Sequence, residues 1–288
     1  MIKKRRYKIL ADFTRVHKFL TDTYDIRCTL LPQYFEYAHM HGQFNYFKSH
    51  HIGIWENDGE IVGIASYEMT PGEACHLDTH KNYAYLLPEL LEWAEQELYA
   101  IKDGKRVLEI EIGDEPEKRE LLKSAGYTQT YSGPVNIFPY DKPFPERKLP
   151  EGFTIIHGTE LDNRKQQVCF WKGFDHGDVP DYDVDEVAFG NNLPISDDTF
   201  LTAAVAPDGE YACALGMWFD KTNKYAYLEP LATIPKYRRM GLATVCLTEA
   251  MKKTKALGAK YCFGGDREFY TDIGFETVMT DEAWKKEW

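Results

Sequence analysis

The sequence predicts an α/β protein made of two tandem copies of one unit, each a mixed central sheet flanked by helices. Three observations predict it. A chain of 288 residues suits two domains of about 100 to 200 residues better than one. Hydrophobic residues make up 43% and aromatic residues 14%, enough for two cores, and no low-complexity tract interrupts them. The same order of elements also occurs twice, about 150 positions apart.

The first basic run, Lys3 to Arg6, reads as a solvated first turn. Lys8 and Asp12 interrupt the apolar residues between Tyr7 and Phe13, so no signal-peptide core exists. Apolar runs at 52–56 and 60–67 flank Asn57-Asp58-Gly59, a hairpin signal. Runs at 200–206 and 211–218 flank Pro207-Asp208-Gly209 in the same way. Each hairpin is followed by a helix with an apolar stripe, at 86–99 and 242–257. In the second, Leu242, Val245, Cys246, Ala250, Met251 and Leu257 share a face, lysines crowd the C-terminal end, and Gly258 stops it. Strands at 107–112 and 261–264 come next. A short helix then ends in Gly126-Tyr127 or Gly274-Phe275. Between the copies Pro139, Pro143, Pro145 and Pro150 predict an extended linker, with domains at 1–140 and 150–288 joined by 141–149.

The net charge is -12, split as -4 up to Lys148 and -8 beyond it. Such a field repels phosphate backbones and anionic lipid, and it excludes nucleic acid as a main partner. No apolar run approaches the roughly 18 residues of a membrane span, so a cytoplasmic protein is expected. The six cysteines have no disulfide or C-x-x-C spacing and read as reduced and buried. His76 and His80 have the i, i+4 spacing of a helical zinc half-site, yet lack the Glu of an H-E-x-x-H protease. Packed or surface histidines, and no metal, are expected.

The segment richest in chemistry is 225–243, where a strand runs through Pro235 into a basic turn and directly into the long helix. Several backbone N–H groups at the helix N-terminus, with Arg238 and Arg239 beside them, suit a phosphate, and Gly241 allows close approach. Any strand-turn-helix junction can hold Gly and Arg, so the physics alone leaves the anion site and a plain turn equally open.

Arg238-Arg239-Met240-Gly241-Leu242-Ala243 resembles the Q/R-x-x-G-x-G/A signature of the GNAT superfamily of acetyl-CoA-dependent N-acyltransferases. Phe269-Tyr270-Thr271-Asp272-Ile273-Gly274-Phe275 is similar to the family's F-Y-x-x-x-G-F. The two occur in order and on the expected elements. The first half looks like a degenerate copy, with Leu122 in the place of Tyr270 and no glycine at 80–87. The chain is similar to tandem members of the family with one silent half.

The resemblance implies the roles of the site residues. Backbone groups of Leu231, Ala232 and Thr233 would hold the pantetheine arm of acetyl-CoA. Amides of Arg239, Met240, Gly241, Leu242, Ala243 and Thr244 would cradle the pyrophosphate, with Arg238 adding charge. Tyr270 would be the general acid for the leaving thiolate, at a modest energetic cost since a free thiol ionises near about 8.5. Many members carry an Asn seven residues before this Tyr; Phe263 stands there, so that contact is either lost or supplied from elsewhere, with Asp266 one candidate. Glu229 would be the base that deprotonates the attacking amine. Packed-aromatic and strand-edge readings stand beside the roles of Tyr270 and Glu229.

Asp175, Asp178, Asp181, Asp183, Asp185 and Glu186 come after an aromatic run at 170–174. Together they suit a small cationic amine as acceptor, with a solvated acidic loop as the alternative. The expected reaction is direct acetyl transfer from acetyl-CoA to a primary amine in a ternary complex. The rival class is a non-catalytic acyl-CoA-binding or regulatory protein. The sequence names neither the acceptor nor the oligomeric state.

Overall fold

The computed structural model describes residues 1–190 and 197–288. In chain order the first elements are β1 Ile2–Arg6, α1 Ile9–Asp22, α2 Pro32–Met40, β2 Gly53–Asn57, β3 Glu60–Tyr67, β4 Cys75–Thr79 and α3 Leu87–Glu97. Next come β5 Ala100–Lys102, β6 Lys105–Ile112, α4 Pro116–Ser124 and β7 Thr128–Pro139. The later elements are β8 Thr154–His157, α5 Asn163–Gly173, α6 Val184–Gly190, β9 Thr202–Val205, β10 Tyr211–Asp220 and β11 Tyr225–Thr233. The last are α7 Leu242–Ala256, β12 Tyr261–Gly264, α8 Glu268–Asp272 and β13 Glu276–Glu287.

The repeat is visible in this order: three antiparallel strands, a long helix, a strand running parallel to the third, a short helix, and a long strand. Asp58 and Gly59 both take positive φ, 51° and 88°, between the paired Asn57 and Glu60, which is the geometry a two-residue hairpin needs. His76 and His80 do not share a helix face. His76 is buried in β4, and His80 lies beyond its end, capping a short 3-10 turn.

The first compact unit is Met1–Val135 together with Val278–Trp288. Its sheet runs β1-β2-β3-β4-β6-β13. α3 buries Leu87, Leu90, Leu91 and Ala94 against it, each large side chain stabilising by roughly 1.5–3 kcal/mol. The basic start is a strand rather than a solvated turn. Arg5 pairs with Asp12 at 2.6 Å and Glu56 at 2.7 Å, and Arg6 pairs with Glu97 at 2.6 Å.

The second unit is Asn136–Thr277, with sheet order β12-β11-β10-β9-β8. The expected boundary therefore differs on both sides. Residues 136–139 at the end of β7 pair with β12, Pro139 opposite Tyr261, and so belong to the second unit. The chain's last residues pair with β6, Glu282 opposite Ile112 through Glu287 opposite Val107, and complete the first. A strand belongs to the sheet whose edge it satisfies, whatever its place in the sequence. Nor is 141–149 a free linker: Thr248 on α7 donates its hydroxyl to the Pro145 carbonyl at 3.1 Å. Among the described residues no helix is long and apolar enough to cross a membrane.

Candidate functional site

The site grows from a fault in β11. Leu215 lies opposite Leu231 and Met217 opposite Leu228, so Gly216 alone faces Glu229 and Pro230. This is a β-bulge, where a proline costs no ladder hydrogen bond and a side chain is re-aimed. Only glycine fits across from it, because a Cβ at position 216 would stand 2.4 Å from the Glu229 carbonyl oxygen. Pairing of β11 with β12 stops at Tyr227 opposite Phe263. Among the described residues no β12 residue lies opposite Leu231, Ala232 and Thr233, beyond the last β11–β12 pair. The Thr233 carbonyl already accepts from Arg238 Nε at 3.1 Å.

Beyond the C-terminal end of β11 the turn enters α7. Arg239 and Gly241 both have left-handed backbone, φ 65° and 83°. No side chain caps α7, and the Val245 N–H to the Gly241 carbonyl, 3.2 Å, is the helix's first rung. The amides of Leu242, Ala243 and Thr244 therefore have no partner within the helix and carry the positive end of its dipole. A Cβ at Gly241 would touch only the stem carbons of Arg147, at 3.9 Å. Met240 and Arg239 are exposed. An uncapped helix start with cations nearby fits a phosphate.

Arg238 is differently employed. Its guanidinium donates to both Asp175 carboxylate oxygens and to the Gly173 carbonyl, all at 2.9 Å. It ties the end of α5 to the turn instead of lying open beside the amides.

Tyr270 sits on α8, just beyond the last β11–β12 pair. Its ring packs edge-on against Phe269 and Phe275, with centroids 5.1 and 5.2 Å away, and Gly264 and Gly265 leave the room it occupies. Burial, then the Cys262 thiol and the Glu229 carboxylate, push its phenol up to about 12, against a hydrogen bond from the Gly265 backbone and the charge of Arg267. Glu229 and Tyr270 thus feel each other electrostatically across the point where β11 and β12 part. Phe263 is buried among Tyr225, Tyr227 and Tyr261. Asp266 is exposed. The asparagine at this turn is Asn136, reaching in from β7: buried, it donates to the Gly265 carbonyl at 3.1 Å and accepts from the Thr277 hydroxyl at 2.8 Å. Sequence spacing gives no sign of it, since it acts across 129 positions.

The acidic stretch is partly self-neutralised. Asp175 pairs with Arg238, Asp185 pairs with Arg164, and Asp183 caps α6 by accepting from the amides of Asp185 and Glu186. Asp178 and Asp181 remain exposed. The aromatic run folds back on the loop, Trp171 meeting Tyr182 at 5.4 Å and His176 at 4.9 Å. A cavity of about 370 Å³ beside it is lined by charges of both signs, Asp175, Asp178, Glu210, Lys172 and Lys236. Against its burial, the two lysines hold the Glu210 carboxyl down at about 2.

The model of the acetyltransferase (GNAT) family matches residues 166–275. No curated protein matches the sequence. Among solved structures the chain is similar to a GCN5-related N-acetyltransferase from Sphaerobacter thermophilus, with a TM-score of 0.62 and 15% identity over 99% of this chain and 95% of that one. It is similar to a tandem GNAT protein from the clavulanic acid biosynthesis pathway, with a TM-score of 0.61 and 11% identity over 100% and 98%. A third is Saccharomyces cerevisiae N-myristoyltransferase, solved with bound myristoyl-CoA and inhibitors, with a TM-score of 0.54 and 12% identity over 99% and 79%. At these identities the likeness is one of fold, and the family model supplies the rest. Over residues 166–275 the chain matches the acetyltransferase (GNAT) family model, and its fold is like that of a tandem GNAT protein.

Proposed function

We propose that the second unit transfers an acetyl group from acetyl-CoA to a primary amine by direct attack in a ternary complex, in a cytoplasmic protein. The observation that carries the reading is the uncapped start of α7, entered from the C-terminal end of β11 through left-handed Arg239 and Gly241. Acetyl-CoA supplies an acyl group activated as a thioester. The amides of 239–244 hold its phosphates, and the edge of β11 at Leu231 and Ala232 offers hydrogen bonds to the pantetheine arm.

The amine nitrogen forms its bond to the acyl carbon as the carbon–sulfur bond breaks. An ammonium acceptor loses two protons, one before attack to free its lone pair and one once the carbon–nitrogen bond has formed; one proton arrives on sulfur and one is released to solvent. Glu229 takes the first through a bridging water, since an ammonium has no lone pair. Tyr270 donates toward sulfur. The step is steeper than an ordinary phenol would make it: from about 12 to a thiol near about 8.5 is roughly 3.5 pH units, or about 5 kcal/mol for complete transfer. Tyr270 therefore acts first as a hydrogen-bond donor to charge developing on sulfur, and its proton moves late. Direct attack is favoured over an acyl-enzyme because burial pushes the Cys169 and Cys262 thiols up, Cys262 to about 12, and the hydrogen bond with Cys213, then burial, push Cys246 up. Asp178 and Asp181 would draw a cationic amine toward the site.

The test is calorimetric titration of acetyl-CoA into the protein and its Gly241→Asp variant. That carboxylate and its Cβ fill the space above α7, so binding should fall at least about a hundredfold. Equal affinity in both proteins would move the phosphate site elsewhere.

A further inference from the structure

We propose that Arg147 is a phosphate-binding residue of this site, carried to the start of α7 by the proline-rich segment that runs along the helix. The inference rests on the acetyl-CoA reading above and adds a residue outside the family-matched region 166–275.

The segment has a defined course. The Tyr140 hydroxyl meets the Thr254 hydroxyl at 2.7 Å, inside the core at the C-terminal end of α7. Lys255 reaches back to the Tyr140 carbonyl and lies over the Phe144 ring, 5.0 Å from its centroid. The Pro145 carbonyl accepts from Thr248 at 3.1 Å, mid-helix. Arg147 then arrives at Gly241, with Cβ, Cγ and Cδ each 3.9 Å from where a Cβ on that glycine would stand. Contacts at 254, 248 and 241 descend the helix as the segment ascends in number, so it runs antiparallel to α7.

The chain turns at Pro139–Lys142, where the Lys142 N–H donates to the Pro139 carbonyl at 3.2 Å, and beyond that turn Pro143 and Pro145 favour an extended course along the helix.

Of the two arginines of the turn, Arg238 is committed to Asp175 and the Gly173 carbonyl, so Arg147 joins Arg239 as a cation at the helix start. Arg147 is exposed, and among the described residues it has no carboxylate partner. Its stem lies against Gly241, which leaves the guanidinium in reach of a phosphate seated on the amides of 242–244. A planar fork of donors suits such an oxyanion.

The experiment uses the full chain and three proteins: wild type, Arg147→Met, which keeps the stem without the charge, and Arg147→Lys. Acetyl-CoA affinity is measured by calorimetry at several salt concentrations, and turnover is measured with acetyl-pantetheine, a thioester without phosphates. Arg147→Met should weaken acetyl-CoA binding about tenfold or more and flatten its salt dependence. Arg147→Lys should fall between, and turnover of acetyl-pantetheine should be equal in all three. Unchanged acetyl-CoA affinity and salt dependence in Arg147→Met would overturn the proposal. So would an equal loss with acetyl-pantetheine, which would mark a role in packing. Failure of the wild type itself to bind acetyl-CoA would instead overturn the reading beneath it.

Discussion

Replacing Tyr270 by phenylalanine separates the hydroxyl from the ring. The ring keeps its edge contacts with Phe269 and Phe275 at 5.1 and 5.2 Å, so packing is conserved. What is lost is one oxygen, with its hydrogen bond from the Gly265 backbone and its donation toward sulfur. Losing the hydrogen bond costs about 1 kcal/mol of stability, a shift of a few degrees in Tm for a unit of this size. Losing a donor to the leaving group lowers kcat by roughly a hundredfold or more, about 3 kcal/mol, with the KM for acetyl-CoA little changed. The pH profile adds a second check. The phenol sits at about 12 and its protonated form is the active one, so wild type should show no alkaline fall in kcat attributable to Tyr270 between about pH 7 and 10. Steady-state release of free CoA thiol, followed across that range for both proteins, reads all of this. A variant with wild-type kcat would make Tyr270 a packing residue, and an alkaline fall near pH 9 to 10 that vanishes in the variant would refute the buried, raised phenol.

Glu229→Gln should lower kcat most at acidic pH, where the amine is most protonated and a base most needed; loss equal at every pH would remove Glu229 from proton transfer. A chain ending at Thr277 loses the strand that pairs with β6 and buries Trp284, so the first unit should unfold at markedly lower temperature, as read by circular dichroism; an unchanged first transition would contradict the observed division of the units. Burial, with Asp281, Glu68 and Glu109 adding repulsion, pushes the Glu111 carboxyl up to about 7, and burial raises Asp281 to about 6. Because both values are raised, the stability they contribute is full below about pH 4 and is lost as pH rises through 7. The Tm of the first unit should therefore fall from pH 5 to 8, and Glu111→Gln should raise it at pH 8 and flatten the slope; an unaltered slope would exclude this carboxyl as its cause.

Local signals are legible in the sequence because local physics fixes them. Asp58-Gly59, Gly126, Gly241 and Gly274 all take the positive φ that their positions suggest, and α7 begins at Leu242 directly after its glycine. The bulge at Glu229 is not legible, since it depends on Gly216 in the opposite strand. β4 has no clear sequence signal because Cys75 to Thr79 alternates Cys, Leu and Thr with His and Asp, a polar face that is covered in the fold. Leu257, expected on the buried stripe of α7, is 51% exposed because the helix ends before it. Long-range partners are the hardest to foresee. Asn136 at the Gly265 turn, Arg238 on Asp175 and Arg147 at Gly241 each depend on chain packing that no spacing rule encodes. By composition the prolines of 139–150 suggest a spacer between domains, whereas their stiffness holds a strap along a helix.

The most direct test of acetyl transfer by this protein is incubation with acetyl-CoA and a panel of primary amines, from polyamines and amino sugars to amino acids, reading thiol release and N-acetyl product together. At least one amine should give free CoA and amide in equal amounts, with both abolished to background in Gly241→Asp and strongly reduced in Tyr270→Phe. Acetyl-CoA that binds at α7 yet gives no amide with any amine would contradict transfer, and would make the second unit a binding domain that has kept its fold without the reaction.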